Sequence, residues 1–256
     1  MKTSVMNILF TAAEQEELDC ALKAYREIQE EYGAEIPTCG NAPKISFHLT
    51  GIGAVQACHK VTGEILRGII KGEPYNIVAN IGIAGSYDME AFPMGSAAVI
   101  SREHFGDLGF GTKEGFKDLF EYGILEENGF PYTAGALARP ELPYSEIEKV
   151  LHKYGNGVGV TVQTVTGDPA KVEELRNRYT PHIESMEGAA VYYAAIQENV
   201  PFFELRTVSN AVGERNRKNW DIPAALSTLE ECCREIMKGI FKQCGYGKSE
   251  KGDNKD

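Results

Sequence analysis

Three short apolar runs, at residues 7–11, 45–49 and 77–81, each give way at their far end to small residues and then to a new pattern. The first passes through Ala12-Ala13 into a helical spacing of Leu18, Leu22, Tyr25 and Ile28 over about 14–31, stopped near Gly33. The second passes through Gly51-Ile52-Gly53 into a helix carrying Val55, Thr62, Ile65, Leu66 and Ile69. The third ends in Gly82-Ile83-Ala84-Gly85. Further strands are expected at 97–101, 158–162 and 202–208. A last helix is expected over about 223–241, with Leu226, Leu229, Cys233, Ile236, Met237 and Ile240 at helical spacing. Such alternation, with glycines at strand ends, predicts an α/β sheet with helices on both faces. Ligands in these sheets sit beyond the carboxyl ends of the strands, where all the candidate motifs fall. No internal repeat and no Pro- or Ser-rich linker divides the chain. One domain is expected over 1–244, followed by a polar, disordered tail at 245–256. Residues 106–144, rich in Gly, Pro and aromatics, read as an excursion that covers the site.

Composition narrows the partners. The 256 residues are 43% hydrophobic and 25% charged, enough to bury a sizeable core. A formal net charge of -11 argues against nucleic acid or an anionic membrane surface, both of which need excess Lys and Arg. The six cysteines show no Cys-x-x-Cys pair and read as reduced thiols of a cytoplasmic protein. The apolar run 5–10 is too short for a signal peptide, and no stretch is long enough to span a bilayer.

Several local patterns carry chemistry only in combination. Gly51-Ile52-Gly53 is not a dinucleotide loop, because Gln56 stands where the third glycine belongs and Asn80-Ile81 closes the next strand without an acid. It reads as a tight turn. Gly82-Ile83-Ala84-Gly85 is either a simple bend or a place where a flat ligand approaches the backbone. Glu14, Glu16 and Glu17 are a solvated helix start or the source of one catalytic acid, since acids are favoured there by the helix dipole. Glu187, within Ser185-Met186-Glu187-Gly188-Ala189-Ala190, opens a helix of small residues. A carboxylate there suits the vicinal hydroxyls of a sugar. Asn210 ends the segment Arg206-Thr207-Val208-Ser209-Asn210 and is a cap or an amide facing a base. The five histidines lack metal-ligand spacing.

Together these segments resemble the nucleoside phosphorylase and hydrolase superfamily, and within it the methylthioadenosine/adenosylhomocysteine nucleosidases and the futalosine hydrolases. The resemblance runs through Thr11-Ala12-Ala13-Glu14-Gln15-Glu16, Thr50-Gly51-Ile52-Gly53 and Asn80-Ile81-Gly82-Ile83-Ala84-Gly85, and through the Met-Glu and Ser-Asn segments. Val212-Gly213-Glu214-Arg215-Asn216-Arg217 with Trp220 is similar to the futalosine hydrolases in particular. The resemblance implies a three-layer sandwich whose central sheet is mixed and partly barrel-like. It implies Glu16 as the acid that activates water and Asn210 as the group facing the base, both catalytic. Glu187 would accept from the ribose hydroxyls, with Met186 under the sugar. Ile83, Ala84 and Gly85 would line the substrate, and Arg206 would hold a carboxylate in place. No metal and no organic cofactor are implied. A homodimer or larger homo-oligomer is.

Two departures set the expected substrate and nucleophile. Adenine-specific nucleosidases of this family carry an aspartate where Asn210 stands. An amide offers a donor to O6 or N7 of a 6-oxopurine, so hypoxanthine fits better. A mismatched polar edge costs roughly 1–3 kcal/mol per unpaired buried group. The first turn carries Glu14, Glu16 and Glu17 where the phosphorylases place arginine, so water is expected as nucleophile. The resemblance therefore implies hydrolysis of futalosine to hypoxanthine and dehypoxanthine futalosine in menaquinone biosynthesis. A methylthioadenosine/adenosylhomocysteine or inosine nucleosidase, a phosphorylase, and a non-catalytic nucleoside-binding or storage protein are the alternatives. Futalosine bears an aryl carboxylate on its 5′ side, for which Arg102, Arg139 and Lys113 are candidates.

Overall fold

The computed structural model describes residues 5–33, 42–113 and 115–247. Its strands are β1 (Asn7–Ala12), β2 (Lys44–Leu49), β3 (Ile77–Ser86), β4 (Ala97–Phe105), β5 (Gly109–Thr112), β6 (Gly115–Asp118), β7 (Leu137–Ala138), β8 (Gly155–Thr161), β9 (Ile183–Ser185) and β10 (Phe202–Ala211). Its helices are α1 (Gln15–Glu31), α2 (Ala54–Ile70), α3 (Ser145–Leu151), α4 (Pro169–Tyr179), α5 (Gly188–Gln197) and α6 (Ile222–Gln243).

β3 organises the sheet. One edge pairs with β10 along its length; the other pairs first with β1 and then, beyond the end of β1, with β9. β10 also pairs antiparallel with β4, β4 runs parallel to β8, and β8 parallel to β9. These strands close into a barrel, and β1 with β2 extends from it as an open wing. α1, α3 and α6 cover one face with Leu18, Ala21, Ile147, Leu229 and Ile236, while α2 and α5 cover the other with Val61, Ile65, Val191 and Ala194. The fold is the three-layer α/β arrangement with a mixed, partly closed sheet that the resemblance implies. Among the described residues no helix is long and apolar enough to cross a membrane.

Two sequence expectations change, and β10 adds a feature of its own. The glycine-rich segment after Ile81 is not a bend: β3 continues through it to Ser86, because β10 pairs along it and β9 joins at Gly85 and Ser86. Glycine at 82 serves side-chain space, since a Cβ there would collide with the Arg206 guanidinium and stand 2.7 Å from Glu17 Oε1. Strand β10 is buried from Phe202 to Asn210, yet it contains Glu204 and Arg206. A strand covered on both faces must pair such charges internally. The expected tail at 245–256 starts too early: Tyr246 is buried in the core against Tyr32 and Phe241. Residues 248–256 of that tail lie outside the described residues.

Candidate active site

At the carboxyl ends of β1, β3 and β10 lies a cavity of about 190 Å³, closed on its other sides by β9 and the turn before α2. A local irregularity in β10 shapes one wall. The pairing of β10 with β3 shifts between Val208 and Asn210, so Ser209 is an extra residue. In a regular strand neighbouring side chains point to opposite faces; a bulge re-aims them. Ser209 and Asn210 both line the cavity here. The Ser209 hydroxyl lies 2.8 Å from Asn210 Oδ1, and Asn210 Nδ2 donates to the Ala211 carbonyl at 2.9 Å. A carbonyl only accepts, so this contact fixes which end of the amide is NH₂. The second N–H of that group remains for a ligand. Beside it, Glu184 accepts from the Tyr87 phenol at 2.7 Å and from the Thr166 N–H at 2.9 Å. Burial, with Glu184 next to it, pushes the Tyr87 phenol well up, so it stays a donor.

The opposite wall holds two carboxylates. Glu187 is 6% exposed and Oε1 accepts the Gly53 N–H at 2.9 Å. Gly53 has φ +94, a conformation that favours glycine, so the turn before α2 delivers its N–H to Glu187 at no steric cost. Glu17 is the second carboxylate. Oε2 accepts the Ala13 and Glu14 N–H groups at 3.1 and 3.0 Å, and Oε1 accepts the Ile83 N–H at 2.9 Å. Burial pushes the Glu17 carboxyl above its ordinary value of 4.5, against Arg206 and the backbone donors that pull it down.

The structure brings Met186, Glu187, Ile83, Ala84, Gly85 and Asn210 together around this cavity. It does not bring Glu16. Gln15 opens α1 and Glu14 caps it, so Glu16 projects into solvent while Glu17, about 100° further round, turns inward. Glu14 lines the cavity rim. Arg206 does not reach the cavity: at 1% exposure it lies behind, with Nε donating to Glu204 Oε1 at 2.6 Å and Nη2 3.9 Å from Glu187. Residues 106–144 contribute none of the cavity's lining among the described residues, so the expected cover is not found there. The excursion instead borders a wider depression of about 660 Å³ beside α4, with Asp118, Glu121 and Arg178. Of the candidates for the 5′ anion, Arg139 is bound to Glu148 at 2.7 Å, and neither Arg102 nor Lys113 is in the lining.

Sequence reading missed Glu184 as a cavity group, did not single Glu17 out of the acidic turn, and gave Trp220 no place at the cavity. The signal for Glu184 was its place three residues before Glu187 on a strand too short to show periodicity. It also missed a buried cluster behind the site, where Glu17, Glu103, Glu187 and Glu204 surround the single guanidinium of Arg206. Burial and the neighbouring Glu204 push Glu103 well above 4.5, and burial raises Glu204 despite Arg206. Burial thus disfavours the charged form of both, and Glu204 has Arg206 beside it to offset that cost. The missing side chain of Gly188 makes room for them, since a Cβ there would stand 2.5 Å from Glu103 Oε1 and 2.8 Å from Glu204 Oε1.

Comparison with known proteins places the chain in a family and its fold among solved structures. A family model described as the Phosphorylase superfamily matches residues 22–242. A futalosine hydrolase of Streptomyces coelicolor is 30% identical over 241 residues, 90% of this chain and 95% of the relative. One from Thermus thermophilus is 32% identical over 193 residues, 73% of this chain and 79% of the relative. Among solved structures, the futalosine hydrolase of Helicobacter pylori strain 26695 superposes with a TM-score of 0.67 at 18% identity, covering 93% of this chain and 97% of that one. An S-adenosylhomocysteine nucleosidase from Streptococcus pyogenes, solved with 5-methylthiotubericidin, gives 0.69 at 18% identity, covering 94% and 99%.

Proposed function

Since this chain belongs to the phosphorylase superfamily, we propose that it is a hydrolase of that family, cleaving the N-glycosidic bond of futalosine to release hypoxanthine and dehypoxanthine futalosine in menaquinone biosynthesis. The observation that carries the hydrolytic reading is the charge of the cavity wall. Glu14, Glu17, Glu184 and Glu187 line it, and no Lys, Arg or His does among the described residues. A phosphate dianion would meet carboxylates without a counter-charge, whereas water meets acceptors. The futalosine hydrolases among the relatives support the substrate.

Cleavage builds positive charge on the ribose and negative charge on the departing base. Groups that favour those charges lower the barrier. Glu187, held by Gly53, accepts from the ribose hydroxyls and faces the developing oxocarbenium ion, with Met186 under the sugar. Glu17 takes the role expected of Glu16. Its Oε2 already receives two backbone N–H groups, but Oε1 receives one and keeps a lone pair for water. A carboxyl raised by burial is the better proton acceptor near neutrality, and general-base help of this kind contributes about 10²–10⁴ in rate. At the base, the free N–H of Asn210 donates to O6 or N7 of hypoxanthine, and Glu184 is placed to accept from N1–H. Adenine presents no N1–H, and its 6-amino group meets a donor.

A homodimer or larger homo-oligomer in the cytoplasm completes the reading. Val55 is 79% exposed and Ile52, which lines the cavity, 48%; Phe105 and Tyr193 extend the same apolar surface beside Val55. The described cysteines are free thiols, in keeping with a reducing compartment. Free base should be followed with futalosine, inosine and methylthioadenosine, each with and without phosphate. Hypoxanthine release from futalosine without phosphate is expected. Phosphate-dependent release would overturn the hydrolase, adenine without hypoxanthine would overturn the base assignment, and no release from any substrate would favour a binding protein.

A further inference from the structure

The cavity has one rim built from cations, although its wall has none. Residues 213–220 leave the end of β10 and arch along the opening. The Gly213 N–H donates to the Thr166 carbonyl, and the Asp221 N–H beyond the arch donates to the Ser209 carbonyl. Thr166 and Ser209 are both cavity residues, so the arch is tied to the opening at each end. At its far end Trp220 lines the cavity, its indole N–H donating to the Glu214 carbonyl at 3.0 Å. Two guanidinium groups flank that indole, Arg215 at 5.8 Å and Arg217 at 5.7 Å from the ring centroid. The stem of Arg215 lies across Gly167, where a Cβ would approach its Cδ within 2.7 Å. This holds Arg215 next to the Val165-Thr166 wall.

Neither guanidinium has a carboxylate partner among the described ion pairs. Glu214, the nearest acid in sequence, already accepts from the Asn216 N–H at 2.6 Å and from Asn219 Nδ2 at 2.7 Å. Asp221 accepts the Ala224 N–H at the start of α6. In a chain with a net charge of -11, two cations left without an acid over an aromatic ring at a substrate opening are an anion receptor in waiting. Arginine stacked on an aromatic face presents its N–H fork edge-on, in the geometry a carboxylate accepts.

We propose that Arg215 and Arg217 bind the carboxylate of the substrate's 5′ substituent, with Trp220 against its aryl ring. This rests on the futalosine reading above. It assigns specificity to groups distinct from those that cleave the bond: the cavity wall would serve any 6-oxopurine ribonucleoside, and the rim would select the one with an anionic arm.

The test compares futalosine, its carboxylate methyl ester and inosine on the wild type, Arg215→Gln, Arg217→Gln and the double variant. Wild type should show a lower KM for the acid than for the ester, and raised salt should shrink the difference. For exposed ion pairs the double variant is expected to raise KM for the acid about tenfold while kcat changes little, abolishing the acid's advantage. Wild type that cleaves acid and ester equally well would overturn the anion subsite and leave the substrate reading standing. A parallel loss on acid, ester and inosine would make the arginines supports of the loop and overturn it too. Wild type that cleaves inosine but not futalosine would overturn the substrate reading and the subsite together.

Discussion

Glu17 shows how much one residue of helix phase decides. Glu187 and Asn210 were legible because each is the single polar group at its place: a lone carboxylate opening a helix of Gly and Ala, a lone amide closing a strand. The acidic turn offered three carboxylates, and which one faces inward depends on where α1 begins. A start at Gln15, with Glu14 as the cap, sends Glu17 to the interior and Glu16 to water. Glu17→Gln should therefore cut kcat at least about 10²-fold with little change in KM, whereas Glu16→Gln should stay near wild type, as steady-state kinetics would show. The pH profile gives a second reading. A base must be deprotonated to act, and burial raises Glu17 above 4.5, so activity should fall as pH drops through that raised value. The acid limb should lie above the ordinary carboxylate range and vanish in Glu17→Gln. At Asn210 the amide orientation is set by the Ala211 carbonyl. Asn210→Asp places an acceptor there instead, and the preference should move from hypoxanthine towards adenine by about tenfold or more in the ratio of kcat/KM values.

Among the elements, the strands that form the site were only half legible. The run at 77–81 reads as ending at Gly82, because glycine is a poor strand former when judged alone. Pairing on both edges carries β3 on to Ser86, and the need for glycine comes from the side chains around it. The bulge at Ser209 left no sequence signal at all, since it exists only in the register between β10 and β3. The start of α5 is similar. Gly188 reads only as one of the small residues that follow Glu187, but its neighbours are Glu103 and Glu204 in the interior. Gly188→Ala should lower unfolding stability by about 1–3 kcal/mol in urea titrations, as overpacking does. It should also disturb Glu187, the residue before it, so a loss of activity beyond the loss of folded protein is expected.

Across the whole molecule, the closed sheet leaves a rim on which side-chain chemistry is divided: carboxylates and an amide inside, arginines outside, and an apolar shoulder at Ile52 and Val55. The excursion at 106–144 was expected over the site because its composition is that of a loop. Composition does not say where a loop travels, and here the described residues run towards α4 instead. The shoulder bears on assembly. Val55→Glu should shift the protein towards monomer in size-exclusion chromatography, with little effect on stability because Val55 is 79% exposed. An unchanged elution volume would place any subunit contact elsewhere.

The pairing of β3 with β10 also governs when the site comes into being. Ser209 reaches the carbonyl of Ala84 across 125 positions of chain. Contacts between such distant segments form only after the loop-closure entropy has been overcome, and they slow folding. During synthesis β1, β2 and β3 emerge long before β10, and until then one edge of β3 waits without its partner. Nascent chains short of residue 211 therefore present a long, apolar, unpaired strand edge, the kind that recruits other chains. The protein's exposure to misassembly is greatest while it is being made, and it ends with the same strand that completes the candidate site.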